Sequence, residues 1–320
     1  MYYAIRHVTR YRYPAPISES HMELRMQPRS EGSQRCWDFQ LRTSPRARIE
    51  SYRDSLGNTV HFFDVPGRHT RLAITATARV EYTAPSPLPD RLGPDAWDEI
   101  DALAREDDHW ELLNPSRFVR PTDLLGKLQD ELGLGRGVDD PLTTLRALNT
   151  AIYDTFEYMP RSTRVDSPID DALASRRGVC QDFTHIMIGL VRELGIPCRY
   201  VSGYLFQSTR NVDRSTRGAT HAWIEALLPG LGWVGFDPTN NLIASDRHIR
   251  VAIGRDYADV PPTRGVFTGE GKGELAVDVV VELAEAPVLE EAPLSNVWVG
   301  ADAPEEQALT SQQAEQQQQQ

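Results

Sequence analysis

The sequence predicts an α+β protein, in which a strand-rich amino-terminal region precedes a core that contains an amphipathic helix and an antiparallel hairpin. Three patterns support this prediction. Residues 1–83 carry long runs of alternating apolar and polar side chains, as half-buried strands do. Residues 183–194 place apolar side chains at three- and four-residue intervals, the period of an amphipathic helix. Residues 219–236 form two short apolar runs around a turn at residues 229–232, which indicates a hairpin.

The amino-terminal part is expected to form a β-rich domain at residues 1–83 and a stiff proline-rich linker at residues 84–94. Within the domain, one strand alternates over residues 3–13 and a longer one over residues 72–82. No apolar stretch follows the basic start of the chain, so the pattern favours a strand over a signal peptide. No apolar stretch is long enough to predict a membrane span.

A helical segment is expected at residues 95–135, followed by the core at residues 136–269. Asp140 before Pro141 predicts a helix start, because aspartate is a favoured N-cap and proline is tolerated in the first turn. Residues 167–170 predict a second helix start, with a pair that resembles a capping box.

The end of the chain has a different composition. Residues 270–320 are expected to form an acidic, glutamine-rich tail, with one strand at residues 274–283 and disorder beyond it. This tail carries eleven acidic residues against the single Lys272, and therefore holds most of the net charge of −12. The remainder is near neutral and has no basic run, so no nucleic-acid partner is predicted.

The cysteines bear on compartment and on metal binding. Cys36, Cys180 and Cys198 are widely spaced and odd in number, which argues against a disulfide framework and favours a reducing cytoplasm. No Cys-x-x-Cys or clustered histidine spacing is present, so neither a metal site nor a cofactor is predicted.

Cys180 stands at the predicted start of the apolar-faced helix. Gly178 permits a sharp entry, and Gly195 is expected to end the helix. At this position, free backbone N–H groups and the helix dipole favour a thiolate. The Cys180 N–H is also a candidate donor to the oxyanion of a tetrahedral intermediate. The alternative is that Cys180 is a small buried apolar residue, as most free cysteines are.

The hairpin carries the two other candidate groups. It is expected to place His221 near one end of the first strand and Asp237 at the end of the second. The carboxylate can then accept from one imidazole nitrogen while the other nitrogen faces Cys180, an arrangement suited to thiol-dependent acyl transfer. Taken separately, a lone strand histidine is usually structural, and Asp-Pro-Thr-Asn is usually a turn in which aspartate caps backbone groups.

These motifs resemble the transglutaminase-like superfamily. The matching segments are Gly178-Val179-Cys180, His221-Ala222-Trp223-Ile224-Glu225, Gly232-Trp233 and Phe236-Asp237-Pro238-Thr239-Asn240. Residues 3–13 and 54–58 are similar to the amino-terminal β-domain of bacterial members, and residues 248–257 are similar too. The resemblance implies a papain-like fold in which the helix that carries Cys180 packs on an antiparallel sheet. It also implies Cys180 as nucleophile, His221 as acid/base and Asp237 as the orienting carboxylate. The papain signature itself is absent, and a faint resemblance to arylamine acetyltransferases fits less well.

The expected reaction is acyl transfer on amide bonds through a thioester, with peptide or isopeptide hydrolysis favoured and a peptide or protein as substrate. The alternatives are an amine-accepting transglutaminase or ligase, and a non-catalytic binding protein on the same fold. The polar stretch 207–218 is expected to form a mobile loop beside the site. Candidates for contacts with substrate or oxyanion are Gln181, Tyr204, Trp223 and Trp233, although buried aromatic residues are more often plain core.

Overall fold

The computed structural model describes residues 1–208, 213–269 and 273–287, so the predicted tail beyond residue 287 lies outside the described residues. Its strands are β1 (Tyr2–Leu24), β2 (Gln34–Ser44), β3 (Ile49–Arg53), β4 (Thr59–Val65), β5 (His69–Tyr82), β6 (Glu157–Tyr158), β7 (Arg177–Gly178), β8 (Cys198–Leu205), β9 (His221–Leu228), β10 (Gly232–Asp237), β11 (Leu242–Ile243), β12 (His248–Gly254), β13 (Thr263–Thr268) and β14 (Glu274–Ala284). Its α-helices are α1 (Ala96–Leu103), α2 (Trp110–Leu113), α3 (Asp123–Leu132), α4 (Pro141–Thr155), α5 (Ile169–Ser175) and α6 (Cys180–Glu193). The predicted α+β class is confirmed.

The amino-terminal sheet is organised around β1, in the order β2-β5-β1-β4-β3. The first half of β1 pairs with β5 on one side and with β14 on the other. Its second half pairs with β4 and β13. The ladder to β5 shifts register between Arg12 and Ile17. Because β1 is long enough to pass through both halves of the sheet, one strand has four partners.

Two of these partners come from the far end of the chain. Residues 2–12 pair antiparallel with residues 274–284, where the sequence suggested a strand. Residues 18–24 pair with β13. The sequence analysis placed β13 with the core at residues 136–269, whereas its ladder hydrogen bonds join it to the amino-terminal sheet. Strand pairing at this sequence separation has no local signature.

The helical segment expected at residues 95–135 contains α1, α2 and α3. Pro115 and Pro121 stand between α2 and α3, and proline lacks the N–H that a continuing helix would need. Thr122 then starts α3, because its hydroxyl oxygen accepts from the backbone N–H of Leu125 at 3.2 Å. Among the described residues, none of the helices combines the length and apolar character needed to cross a bilayer.

The two predicted helix starts differ in outcome. Asp140 caps α4 as predicted, since its carboxylate accepts from two backbone N–H groups of the first turn. The predicted capping pair at α5 is wrong. Pro168 occupies the N-cap position, and Ser167 accepts instead from the backbone N–H of Arg164 at 3.2 Å. The Asp170 carboxylate accepts from the hydroxyl of the residue that caps α3.

The core sheet has the order β11-β10-β9-β8-β12, and α6 packs on it. Ala222, Ile224 and Ala226 of β9 belong to the apolar cluster that includes α6. Helix α6 is buried on nearly all sides and not on one face alone, because α3, α4 and α5 contact it as well. It ends as predicted at Gly195, whose φ of +68° lies in the left-handed region that glycine adopts readily.

Candidate active site

Cys180 is the first residue of α6, and the segment before it is held by hydrogen bonds. Val179 is extended, and its backbone N–H donates to Asp182 Oδ2 at 2.8 Å. The Thr163 hydroxyl donates to the same oxygen at 2.6 Å. A Cβ on Gly178 would lie 2.9 Å from that carboxylate oxygen, so a side chain has no room there. The thiol therefore stands on a restrained helix start and is partly exposed.

His221 and Asp237 lie at neighbouring ends of β9 and β10, with His221 Nε2 2.8 Å from Asp237 Oδ2. The other ring nitrogen, Nδ1, is buried and has no hydrogen-bond partner among the described residues. Burial opposes protonation of the imidazole, but the Asp237 carboxylate and the nearby Cys180 side chain outweigh it and raise the pKa of His221 to about 10. The structure thus brings all three residues together.

Five hydrogen bonds satisfy the Asp237 carboxylate. Oδ1 accepts from the backbone N–H groups of Thr239 at 3.0 Å and Asn240 at 3.3 Å. Oδ2 accepts from His221 Nε2 at 2.8 Å, Asn240 Nδ2 at 2.8 Å and His248 Nε2 at 3.1 Å. Burial favours the neutral acid, but these donors and the positive charge on His221 hold the pKa of Asp237 well below its usual range. The carboxylate is therefore ionised.

His248, the first residue of β12, is a site residue that the sequence analysis did not identify as one. Residues 248–257, which include His248, entered only through the family resemblance, and no local pattern places the His248 side chain beside Asp237. Potential ligand atoms of His221, Asp237 and His248 lie within 4.8 Å of one another, a grouping that the sequence analysis did not anticipate. The Ser245 N–H donates to His248 Nδ1 at 3.3 Å, so Nε2 carries the proton and has no lone pair to offer a metal.

Trp223 packs against two histidines of the site and does not line it. The side chain is fully buried. Its ring stacks on the His221 ring with a centroid distance of 6.1 Å and an interplanar angle of 29°. It meets the His248 ring edge-on at 5.2 Å. Gly203 on β8 leaves space for the indole, since a Cβ there would lie 2.5 Å from Trp223 Cη2.

The other three candidates have different surroundings. Trp233 lies near the turn end of β10, with the Arg199 guanidinium 4.2 Å from its ring centroid, and is therefore remote from Asp237. Tyr204 is buried in the cluster that joins β8 to the amino-terminal sheet, so it does not line the site. Gln181 follows Cys180, and its side-chain Nε2 donates to the Val165 carbonyl at 3.1 Å.

Tyr158 is a further neighbour that the sequence analysis missed. β6 and β7 pair in parallel, which sets Tyr158 opposite Gly178. Burial first, and the nearby Cys180 side chain in addition, raise the pKa of the Tyr158 phenol. Its hydroxyl accepts from the Thr216 N–H at 3.1 Å. This contact holds part of the predicted loop 207–218 beside the site, and residues 209–212 of that loop lie outside the described residues.

A small cavity opens next to His221. It has a volume of about 150 Å³. Gln207 and residues 215–219 line one side, and residues 279–281 of β14 line the other. The Val279 N–H donates to the Gly218 carbonyl at 2.9 Å. The last described strand of the chain therefore forms one wall beside the imidazole.

The comparisons with known proteins agree with this geometry. Residues 3–81 match the bacterial transglutaminase-like N-terminal region, and residues 132–238 match the transglutaminase-like superfamily. An uncharacterized Mycobacterium leprae protein is 34% identical over 278 residues, which are 87% of this chain and 96% of that protein. A Cytophaga hutchinsonii crystal structure, provisionally described as a cysteine protease, has a TM-score of 0.69 at 23% identity and covers 90% of this chain and 92% of its own. A Pseudomonas aeruginosa protein-glutamine gamma-glutamyltransferase is 32% identical over 92 residues, 27% of this chain and 14% of that protein.

The two matched regions cover strands β1 to β5 of the amino-terminal sheet and the segment that contains Cys180, His221 and Asp237. The similarity to the Mycobacterium leprae protein extends over almost the whole length of that protein. The structural similarity supports the predicted papain-like arrangement of helix and sheet. The chain therefore belongs to the transglutaminase-like superfamily, with the bacterial transglutaminase-like amino-terminal region.

Proposed function

We propose that the protein catalyses thiol-dependent acyl transfer on amide bonds, with hydrolysis of a peptide or isopeptide as the net reaction. The observation that carries this proposal is the buried pair of His221 and Asp237, with the free Nδ1 of the imidazole beside Cys180. An ionised carboxylate that holds one imidazole nitrogen leaves the other to exchange a proton with the thiol. In this proposal Cys180 is the nucleophile, His221 the acid/base and Asp237 the orienting group.

In the proposed reaction, the Cys180 thiolate attacks the amide carbonyl and forms a carbon–sulfur bond. The backbone N–H of Cys180 donates to the oxyanion, since the first N–H groups of a helix have no partner within it. The imidazolium of His221 gives its proton to the nitrogen of the departing amine as the carbon–nitrogen bond breaks. A thioester remains on Cys180.

Water completes the hydrolysis. His221, now neutral, accepts a proton from the attacking water, and the acid product leaves as the Cys180 thiolate forms again. A primary amine in place of water would give a new amide, which is the transglutaminase alternative. We favour water because it is always present at a partly exposed thiol. Because the mechanism needs a free thiol, we further propose a reducing, cytoplasmic location.

The experiment uses a library of peptides containing glutamine and isopeptide bonds, incubated with and without a primary amine such as methylamine. Mass spectrometry distinguishes a product in which water has taken the place of the departing amine or ammonia from one in which methylamine has done so. Cys180→Ala should abolish both products, and Cys36→Ala is the matched control that should leave them unchanged. A folded Cys180→Ala variant with undiminished turnover would contradict the proposal. No reaction of the wild-type protein with any peptide would also contradict the proposal, and would favour the alternative of a non-catalytic binding protein on this fold.

A further inference from the structure

The hydrogen-bond donors to the Asp237 carboxylate come from two parts of the fold. Thr239 and Asn240 belong to the turn that follows Asp237, and His221 lies on the adjacent strand β9. His248 comes from β12, which is separated from β10 by β8 and β9 in the sheet. It is therefore the one donor, among the described contacts of this carboxylate, from outside the hairpin and its turn.

The tautomer of His248 is set by its second nitrogen. The backbone N–H of Ser245 can only donate, and it points at His248 Nδ1 at 3.3 Å. Nδ1 must therefore carry a lone pair, and the ring proton sits on Nε2, 3.1 Å from Asp237 Oδ2. Burial lowers the pKa of His248, so the ring is held as a neutral donor. Its side chain is almost fully enclosed, with an exposure of 1%.

Trp223 explains how this imidazole is held across the sheet. The indole contacts both histidines, stacked on His221 and edge-on to His248, and the two imidazole rings lie 6.1 Å from each other. It fits there because Gly203 on the flanking strand β8 has no side chain. His248 is thus restrained by the Ser245 N–H, the Trp223 ring and the Asp237 carboxylate.

We propose that His248 is a positioning residue, which holds Asp237 Oδ2 where that atom must lie to accept from His221. The inference rests on the proposed function. Without His248, Oδ2 keeps its donors from His221 and Asn240, and among the described contacts none from outside the hairpin and its turn then holds the carboxylate against rotation. Any rotation of the carboxylate would turn the His221 ring away from Cys180. Partners of this kind typically change activity by about 10- to 100-fold although they touch no substrate.

Two variants distinguish the loss of the hydrogen bond to Asp237 from the loss of packing against Trp223. His248→Gln keeps an N–H near the position of Nε2, whereas His248→Leu keeps apolar volume beside Trp223 and removes the donor. The probe is iodoacetamide, and the readout is the alkylation rate of Cys180 at pH 6, which needs no known substrate. We expect about a tenfold lower rate in His248→Leu and a rate within about threefold of wild type in His248→Gln. The matched control is His7→Gln, which replaces a buried imidazole of the amino-terminal sheet by the same side chain.

The outcomes distinguish this inference from the proposed function. Slow alkylation of Cys180 in the wild-type protein, no faster than that of Cys36, would overturn the proposed function and the inference with it. Fast alkylation in wild type and equally fast alkylation in His248→Leu would overturn the positioning role alone. An alkylation rate in His248→Leu as high as that in His248→Gln would also overturn it, because packing would then suffice.

A second measurement does not depend on the folding of a variant. In wild-type protein labelled with ¹⁵N-histidine, the chemical shifts of the two ring nitrogens report which one carries the proton. We expect the Nε2–H tautomer for His248 at neutral pH, with its proton shifted downfield by the carboxylate. The Nδ1–H tautomer would place a lone pair against Asp237 and would overturn the proposal.

Discussion

The Tyr204 hydroxyl lies 2.9 Å from Nδ1 of His7, across 197 positions of sequence. The hydroxyl also lies 3.4 Å from the Met26 carbonyl oxygen, so either the hydroxyl or the imidazole nitrogen can donate within this pair. The contact joins the core strand β8 to the first strand of the chain. It also buries a neutral histidine, since burial lowers the pKa of His7 to about 4.

Stability should therefore fall as the pH is lowered from about 6.5 to 4. The unfolded chain protonates a histidine near pH 6.5, whereas folded His7 protonates near 4. Between these values the unfolded state binds more protons, so the free energy of unfolding decreases by ~1.4 kcal/mol per pH unit for each such group. Burial also lowers the pKa of His185 to about 4, which adds to the effect. In His7→Gln the slope of stability against pH, measured by urea unfolding, should be smaller, and an unchanged slope would contradict this account.

Iodoacetamide at pH 7 should modify Cys180 and spare the other two thiols. Burial raises the pKa of Cys36 to about 11 and that of Cys198 to about 11, so both remain protonated. Cys180 faces an imidazole that stays protonated up to about pH 10, and a thiolate reacts faster than a thiol. Peptide mass spectrometry after brief labelling reads out each site. Equal labelling of Cys36 and Cys180 would show that Cys180 is not activated.

Substitution of Asp237 by asparagine should reduce turnover by about 10²–10⁴-fold. Asparagine keeps the size of the side chain, but its neutral amide cannot stabilise the imidazolium of His221. Its own N–H groups would also face the N–H donors that bind the carboxylate, such as that of His248. The variant should also lose stability, because five hydrogen bonds converge on this carboxylate. Turnover and the thermal midpoint are measured on the same preparation. Wild-type turnover in Asp237→Asn would exclude the orienting role.

Gly203→Ala should destabilise the fold by about 1–3 kcal/mol, the usual cost of overpacking. The added Cβ would lie 2.2 Å from the Ile249 carbonyl oxygen and 2.5 Å from Trp223 Cη2, and neither group can move freely. Gly126→Ala is the matched control, because a Cβ at that position of α3 meets nothing within 4 Å. It should be neutral or stabilising by up to ~1 kcal/mol. Equal unfolding midpoints for the two variants in denaturant would contradict the prediction.

Local patterns in the sequence were sufficient to predict the parts of the site that depend on neighbouring residues. The apolar period after Cys180 and the end at Gly195 predict α6, because a helix repeats its environment every three or four residues. The turn between two apolar runs predicts the hairpin that carries His221 and Asp237, because turn chemistry is local as well. The family resemblance extended this prediction to the amino-terminal sheet.

Tertiary structure alone decided which distant groups meet. His248 reaches Asp237 across two intervening strands, and Tyr204 binds His7 at the other sheet. β14 pairs with the amino terminus and forms a wall beside the imidazole of His221. These contacts arise from the packing of whole strands and helices. The residues that meet are far apart in the sequence, and no local pattern around one of them indicates the other. For this protein, the sequence determined the chemical groups and the elements that carry them, and packing determined how those groups are oriented and enclosed.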